Sequence, residues 1–319
     1  MPHNAEYQPA IEIEPRDISP FRQGNTGVDY VTTFDSGRPG PHVMVNALTH
    51  GNELSGAHAV GFLFDHAVRP SRGRLTLSFA NVAAYLGFDP ESPFESRFFD
   101  EDFNRVWDEA TLDGPRDSVE LSRARAMRPI VDTVDMLLDL HSTSLPMAPM
   151  MLCGMRDKGL ALARGIGSPA HVVIDAGHTA GRRLRDYAPF DDPAVDAAAA
   201  LVECGQHFER AANDVAIDTT LRFLRHCDVV DPGFVAEHVA DTAGPQMIIR
   251  VSQAVTIETD HFAFTNELTG FEVIAEAGTL IGHDGDREVR TPYDDCVMVM
   301  PGRDLKKGLT AVRLGRIVD

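Results

Sequence analysis

The stretch HVMVNALTHGNELSGAHAV, residues 42 to 60, changes from one hydrophobic pattern to another near its middle. Residues 42 to 48 form an apolar run typical of a buried strand, whereas residues 53 to 68 place apolar side chains at helical spacing. The segment RLTLSFANVAAYL, residues 74 to 86, has the pattern of a second strand. A strand, a helix and a strand in this order predict a β-α-β unit.

Strand-like and helix-like segments continue to alternate up to about residue 240. This alternation predicts an α/β fold with a mixed, mainly parallel sheet that carries helices on both faces. A helix at about 117 to 128 is expected to stop before Pro129, because proline cannot donate a helical hydrogen bond. Further strands are predicted at 10 to 15, 28 to 34, 135 to 141, 148 to 154 and 170 to 177, and further helices at 155 to 166 and 208 to 226.

The pattern changes again from about residue 241. Segments 246 to 264, 271 to 283 and 296 to 302 are short β-like runs separated by Gly, Asp and Pro, without a helical period. We therefore predict two domains, an α/β domain of residues 1 to 240 and a smaller all-β domain of residues 241 to 319.

The bulk properties exclude several classes of function. With 43% hydrophobic residues in 319 positions, the chain has enough apolar surface for a packed core. A formal charge of -19 disfavours binding to nucleic acid or to an anionic membrane. There is no signal-peptide pattern and no run of roughly 18 apolar residues. The four cysteines are scattered without CxxC pairs, so we expect a cytoplasmic protein.

His50 and Glu53 form a His-x-x-Glu pair where the first strand gives way to the helix. The spacing alone is not specific, because His3 and Glu6 repeat it near the N-terminus. The position is more informative, since ligands of α/β proteins bind beyond the carboxyl ends of strands. Two interpretations remain: a pair of metal ligands, or a polar turn in which Asn52 or Glu53 caps the helix.

A catalytic zinc site needs a third protein ligand and leaves a further position for water. His141 is a candidate, because it follows the apolar run of DMLLDLH at the end of another predicted strand. Asp139 precedes it by two residues and lies on the same face of a regular strand.

Four motifs in order resemble the succinylglutamate desuccinylase/aspartoacylase family of zinc carboxypeptidase-like hydrolases. They are THGNELSG, RFFDEDFNR, DLHSTS and VECGQHF, and they span about residues 42 to 210. The β-rich C-terminal part is also similar in kind. The resemblance implies a single zinc ion bound by His50, Glu53 and His141.

The same resemblance assigns the general base to Glu203, which would activate the attacking water and protonate the leaving amine. A glutamate within the apolar run AALVECG is costly if buried without a purpose. The alternative for Glu203 is a structural role, as a carboxylate in a salt bridge or at the rim of the pocket.

RFFDEDFNR carries the family's substrate-binding spacing, with Arg97 seven residues before Asn104. The resemblance implies that Arg97 stabilises the oxyanion of the scissile carbonyl. Asn104 and Arg105 would bind a substrate carboxylate, and a bidentate arginine suits that task. Asp102 resembles the carboxylate that orients a zinc-bound histidine, and we expect the same of Asp139 toward His141.

The chain also departs from the aspartoacylase pattern. Those enzymes have another arginine shortly before the general base, whereas residues 187 to 203 contain none and the nearest are Arg182, Arg183 and Arg185. N-acetylaspartate is therefore not predicted as the substrate. His207 is a candidate lining residue without an assigned role. Two C-terminal segments, ETDHF at 258 to 262 and TPYDDC around Tyr293, are further candidates for pocket residues.

These observations predict a zinc-dependent hydrolase that removes an acyl group from a small N-acylated amino acid or related amine. A carboxypeptidase-like peptidase with the same metal site is the alternative enzyme, and a C-terminal domain that caps the pocket would disfavour it. A non-catalytic protein that binds a small carboxylate is the alternative from another class. A homo-oligomer is compatible with either, whereas neither nucleic acid nor membrane is an expected partner.

Overall fold

The computed structural model describes residues 8–177, 180–240 and 244–318. His3 and Glu6 lie outside the described residues. The strands are β1 Val31–Asp35, β2 His42–Ala47, β3 Arg74–Phe79, β4 Met136–Thr143, β5 Met150–Leu152, β6 His171–Ile174, β7 Ala198–Gln206, β8 Met247–Thr256, β9 Phe262–Phe264, β10 Val273–Ile274, β11 Leu280–Asp284, β12 Arg287–Arg290, β13 Cys296–Val299 and β14 Thr310–Val318.

Helices connect and cover these strands. The α-helices are α1 Leu54–Asp65, α2 Val82–Leu86, α3 Glu109–Asp113, α4 Val119–Val131, α5 Asp157–Ile166, α6 Ala188–Asp191, α7 Arg210–His226 and α8 Pro232–His238. Short 3-10 helices occupy Ser19–Phe21, Glu95–Arg97, Phe103–Arg105 and Leu184–Asp186. Among the described residues, no helix has the length and apolar character needed to cross a membrane.

One large mixed sheet organises the molecule, in the order β1-β3-β2-β4-β7-β5-β6-β8-β14-β13-β10. Strands β3, β2, β4 and β7 are parallel neighbours, and β5 pairs antiparallel with β7. Side chains alternate between two cores along β2: Val45 packs with α1 and α7, whereas Met44 packs with α4 on the opposite face. The predicted α/β fold, with helices on both faces of a mixed sheet, is confirmed.

The C-terminal β region is also present, and it is joined to the large sheet. Strand β8 pairs in parallel with β6, and β14, β13 and β10 extend the sheet beyond it. The remaining strands, β9, β11 and β12, form a separate three-stranded sheet. The domain boundary at residue 240 stays a prediction, because residues 241 to 243 lie outside the described part of the chain.

Three local predictions are wrong. Residues 10 to 15 form no strand, and Glu12 N donates instead to the carbonyl of Phe208. The strand predicted to reach residue 86 ends at Phe79, because the Asn81 side chain accepts a hydrogen bond from Ala84 N and caps α2. Helix α4 continues through Pro129 to Val131, since a proline in the last turn removes only a bond near the helix end.

Candidate active site

The candidate ligands meet at one edge of the sheet because their strands are parallel neighbours. Strand β2 leads into the loop that carries His50, and its neighbour β4 carries His141. On the next strand, β7, Glu203 is the direct partner of His141 in the register. The carboxyl ends of three adjacent strands therefore bring together residues that are far apart in sequence.

The loop after β2 is sharply bent and tightly packed. Leu48 is fully buried with a φ of +60°, and its carbonyl accepts a 2.8 Å hydrogen bond from Asn81 N. A Cβ atom at Gly51 would lie 2.4 Å from the backbone of Ala84 and from the carbonyl oxygen of Ser96. Only glycine fits between these segments, and this close approach sets the position of His50.

Among the described residues, one group has the composition and spacing of a metal site. Ligand atoms of His50, Glu53 and His141 lie within 4.8 Å of one another, and all three side chains are buried. The Nδ1 atoms of both histidines lie 2.8 Å from Glu53, on Oε1 for His50 and on Oε2 for His141. Glu53 is the N-cap residue of α1, but its side chain makes no capping hydrogen bond. The capping interpretation of this residue is therefore wrong.

The outer nitrogens of the two histidines are held by separate carboxylates. His50 Nε2 lies 2.9 Å from Oδ1 of Asp102, and His141 Nε2 lies 2.9 Å from Oδ2 of Asp139. A metal-binding histidine ordinarily donates its second N–H to such a group, which fixes the ring and leaves the first nitrogen free to bind. The donor set and its surroundings fit a divalent cation such as zinc.

Several buried polar atoms at the centre of the site have no hydrogen-bond partner in the described part of the chain, as expected of a site that binds a ligand. The buried Oε2 atom of Glu203 and the buried Oδ1 atom of Asn52 have no hydrogen-bond partner among the described residues. Glu53 Oε2 meets His141 Nδ1 at 2.8 Å without hydrogen-bond alignment. Buried polar atoms are rarely left unpaired in native proteins, so these oxygens point to an ion, water or substrate.

The carboxylates at the centre experience opposite electrostatic effects. Burial raises the pKa of Glu53, but the charges of His141 and His50 outweigh burial and hold this pKa well below its ordinary value. Burial raises the pKa of Glu203 to about 7, and the charge of His141 only partly opposes it. Glu53 therefore stays ionised as a ligand should, whereas Glu203 can exchange a proton near neutral pH.

A second loop, residues 97 to 105, contacts the candidate metal ligand His50. Asp102 Oδ1 accepts from Asn104 N at 2.8 Å, while Oδ2 accepts from Arg97 Nη2 at 3.1 Å. The same Arg97 nitrogen lies 2.9 Å from His50 Nε2. Asp102 thus joins the predicted oxyanion arginine to a candidate ligand, in the position predicted for an orienting carboxylate.

Asn104 and Arg105 both line the cavity, but they do not offer equivalent groups. The Oδ1 atom of Asn104 already accepts from Leu184 N at 2.8 Å, so its amide nitrogen is the atom left for a ligand. Burial lowers the pKa of Arg105 to about 10, which still leaves a cation at neutral pH. Together they can bind an anion through N–H donors.

The cavity contains two arginines for which the sequence predicted no role, although Arg183 is among those nearest to the general base in sequence. Arg183 and Arg313 line it with only 6% and 9% of their surface exposed. Asp175 lies between them, 3.0 Å from Arg183 Nη1 and 3.7 Å from Arg313 Nε. The side chain of Arg313 makes no hydrogen bond among the described residues, and its contact with Asp175 is an ion pair at 3.7 Å, so its donors can serve a ligand. No local motif marks either arginine, since they come from the loop after β6 and from β14.

The C-terminal region closes one side of the cavity, which has a volume of about 470 Å³. Residues 300 to 304 line it, and the guanidinium of Arg303 lies 3.7 Å from the ring centroid of Phe94. This contact joins the C-terminal region to the long loop before Arg97. The C-terminal region therefore forms part of the pocket wall.

The remaining candidates have mixed outcomes. His207 lines the cavity, with its Nδ1 2.8 Å from Ser142 Oγ, and burial lowers its pKa to about 3. Neither Tyr293 nor the 258 to 262 segment belongs to the lining. Tyr293 instead contacts Ser252 at 2.6 Å and stacks under Arg316, while the backbone of that segment donates to Asp284.

Solved structures with the same fold extend over nearly the whole chain. Succinylglutamate desuccinylase from Vibrio parahaemolyticus is 20% identical with a TM-score of 0.63, covering 88% of this chain and 82% of that one. A succinylglutamate desuccinylase/aspartoacylase from Rhodobacter sphaeroides is 18% identical, with a TM-score of 0.64 and coverages of 91% and 89%. The ectoine utilization protein EutE (DoeB) from Ruegeria pomeroyi, in a product-bound structure, is 15% identical, with a TM-score of 0.61 and coverages of 92% and 92%.

Sequence comparison gives the family itself. No curated protein matches the chain. The model of the succinylglutamate desuccinylase/aspartoacylase catalytic domain matches residues 39–227, which include every candidate ligand and the candidate base. That match covers more than half of the 319 residues. The chain therefore belongs to the succinylglutamate desuccinylase/aspartoacylase family of hydrolases.

Proposed function

We propose that the protein is a zinc-dependent deacylase that hydrolyses the amide bond of a small N-acylated amino acid or related N-acylated amine. The observation that carries this proposal is the joint geometry of His50, Glu53 and His141, whose ligand atoms lie within 4.8 Å beside the unpaired Glu203 carboxylate. Three ligands with a buried base beside them are the composition of a hydrolytic zinc site.

A zinc ion bound there would lower the pKa of water and polarise the amide carbonyl. Glu203 takes the proton from the attacking water and passes it to the leaving amine, which its raised pKa suits. Arg97 donates hydrogen bonds to the oxygen on which negative charge develops. Asn104, through its amide nitrogen, and Arg105 bind the substrate carboxylate.

The shape and charge of the cavity support a small anionic substrate. Residues 300 to 304 and the contact of Arg303 with Phe94 place the C-terminal region against the pocket, the arrangement that is expected to disfavour the peptidase alternative. Arg105, Arg183 and Arg313 give this pocket a local positive potential within a chain of formal charge -19. The non-catalytic alternative is disfavoured because Glu203 is buried beside the ligands, where it serves no purpose in simple anion binding.

The proposal also includes the cellular compartment and the oligomeric state of the enzyme. The four cysteines, Cys153, Cys204, Cys227 and Cys296, are all free thiols, as expected in a reducing cytoplasm. A homo-oligomer stays a prediction that size measurement can test.

The direct test is a hydrolysis panel with the zinc-loaded protein. N-acetyl, N-succinyl and other N-acyl amino acids would be compared with short peptides of matched C-terminal residue, following the released amine. We expect turnover of at least one N-acyl amino acid and no comparable turnover of peptides of three or more residues. Faster cleavage of peptides would favour the peptidase, and binding of N-acyl amino acids without turnover would favour the non-catalytic protein.

A further inference from the structure

Glu120 is a fully buried carboxylate outside the cavity lining, in the first turn of helix α4. It forms no ion pair among the described residues. A carboxylate with 0% exposure and no counter-charge is strongly destabilising unless hydrogen bonds replace its hydration.

The donors are three successive backbone amides and one side-chain amide. Glu120 Oε1 accepts from Phe99 N at 2.6 Å and from Asn81 Nδ2 at 2.9 Å. Its Oε2 accepts from Asp100 N at 3.0 Å and from Glu101 N at 3.2 Å. Consecutive amides that converge in this way form an anion-binding concavity, and here the anion is a side chain of the same protein.

The three amides lie in the short segment between Arg97 and Asp102. Arg97 is the proposed oxyanion donor, and Asp102 holds Nε2 of the ligand His50 at 2.9 Å. The hydrogen bonds from residues 99 to 101 to Glu120 therefore restrain the backbone that carries both side chains.

Asn81 extends the network to the loop of the metal ligands. Its backbone N donates to Leu48 O at 2.8 Å, two residues before His50, while its Nδ2 donates to Glu120. A direct bond from Gly51 N to Arg97 O, at 3.0 Å, joins the same two loops on the other side. Glu120 is thus the buried acceptor through which α4 holds both active-site loops in register.

We propose that Glu120 is a positioning residue that sets the segment carrying Arg97 and Asp102 against the metal site. It touches neither metal nor substrate. Its effects on catalysis and on zinc affinity rest on the proposed function, whereas its effect on backbone protection does not.

The test is Glu120→Gln, which is nearly isosteric. In either orientation of the amide, its NH₂ group faces N–H groups that donate to the carboxylate in the wild type. The hydrogen bonds to that side of the group are therefore lost. We expect amide hydrogen exchange at residues 99 to 101 to accelerate at least about tenfold, and zinc affinity from chelator competition to fall about 10- to 100-fold, as for other residues that orient a metal ligand. If the wild type hydrolyses an N-acyl amino acid, kcat/KM should fall by a similar factor.

Two controls separate positioning from general destabilisation. His42→Gln alters another buried polar residue, at the far end of β2, and should lower the melting temperature without changing zinc affinity. Glu109→Gln alters an exposed glutamate on α3 and should change nothing. If Glu120→Gln does not fold, Glu120→Asp keeps the charge at shorter reach and should shift both readouts in the same direction.

Unchanged exchange and zinc affinity in a folded Glu120 variant would overturn the proposal. An equal loss of zinc affinity in His42→Gln at a matched loss of melting temperature would also overturn it. A wild type that lacks hydrolytic activity or zinc binding would instead contradict the proposed function, and the exchange measurement would still decide the role of Glu120.

Discussion

The Nε2 atom of His141 lies 2.9 Å from Oδ2 of Asp139, in a fully buried pair at the end of β4. Asp139 is itself fixed, because its Oδ1 accepts from Asn46 Nδ2 and from Thr49 Oγ1, each at 2.8 Å. The chain of contacts from β2 to Asp139 to His141 fixes the tautomer in which Nδ1 is free to bind a metal.

Asp139→Asn should therefore weaken zinc binding about 10- to 100-fold. If the oxygen of the new amide still accepts from Asn46 and Thr49, its NH₂ group faces His141 Nε2. The proton on Nε2 then has no acceptor, so the tautomer with a free Nδ1 is disfavoured. Chelator competition measures the effect. The control Asp214→Asn, an exposed position on α7, should bind zinc like the wild type, and equal affinities of all three proteins would contradict the assignment of His141.

Glu203→Gln should abolish turnover while leaving the metal bound. The amide keeps the size of the side chain but cannot accept a proton, so the rate should fall about 10²- to 10⁴-fold. Metal content and initial rates measured on the same sample separate the two effects. Glu95→Gln removes another carboxylate from the cavity lining and should retain most activity. Unchanged activity of Glu203→Gln would remove this residue as the base.

The rate should depend on pH through Glu203. Because burial raises the pKa of this carboxyl to about 7, lowering the pH protonates it and removes the base. The carboxyl faces His141, His50, Glu53 and Arg97, and a bound cation adds positive charge, which moves the acid limb below pH 7. We expect kcat/KM to fall about tenfold per pH unit on this limb. A rate that is constant from pH 8 to pH 5 would contradict the account.

Acid should destabilise the metal-free protein through His207. Its folded pKa, about 3, is depressed below the unfolded value, so the unfolded chain binds the proton first and stability is lost as the pH falls below about 6.5. The contribution reaches about 2 kcal/mol at pH 5. His207→Gln should therefore lose less unfolding free energy between pH 7 and pH 5 than the wild type in denaturant titrations. Equal losses in both proteins would show that His207 is not buried as a neutral ring.

Arg105→Lys should raise KM more than it lowers kcat. Lysine keeps the charge but loses the planar fork that binds a carboxylate through two N–H groups, so KM should rise about tenfold or more. Steady-state kinetics on the best N-acyl amino acid provide the measurement. Arg38→Lys, on the exposed surface and away from the active-site loops, is the matched control. A fall in kcat at constant KM would place Arg105 at the reacting bond instead.

Local patterns were sufficient for the fold because each signal lies within a few residues. The apolar run at β2 and the helical spacing of α1 predicted the first β-α unit, but the cap supplied by Asn81 was mistaken for part of a strand. His50, Glu53 and His141 were recognisable because their motifs are short and ordered. Their convergence depends on the parallel pairing of β2 with β4, which a single sequence indicates only through fold class.

Other parts of the site have no local signature. Arg183 and Arg313 reach the cavity only through the order of strands in the completed sheet. Glu120 resembles any acidic residue in the first turn of a helix, where the helix dipole favours it. Only the folded chain reveals that this carboxylate is buried against the backbone of another loop.

Metal reconstitution coupled to hydrolysis tests the central claim most directly. The purified protein would be analysed for divalent metals, stripped with a chelator, reloaded with zinc and assayed on N-acyl amino acids at each stage. We predict one zinc ion per chain, loss of hydrolysis on stripping and recovery on reloading. A protein that contains no stoichiometric divalent metal, and in which added zinc restores no hydrolysis of any N-acyl amino acid, would contradict the account.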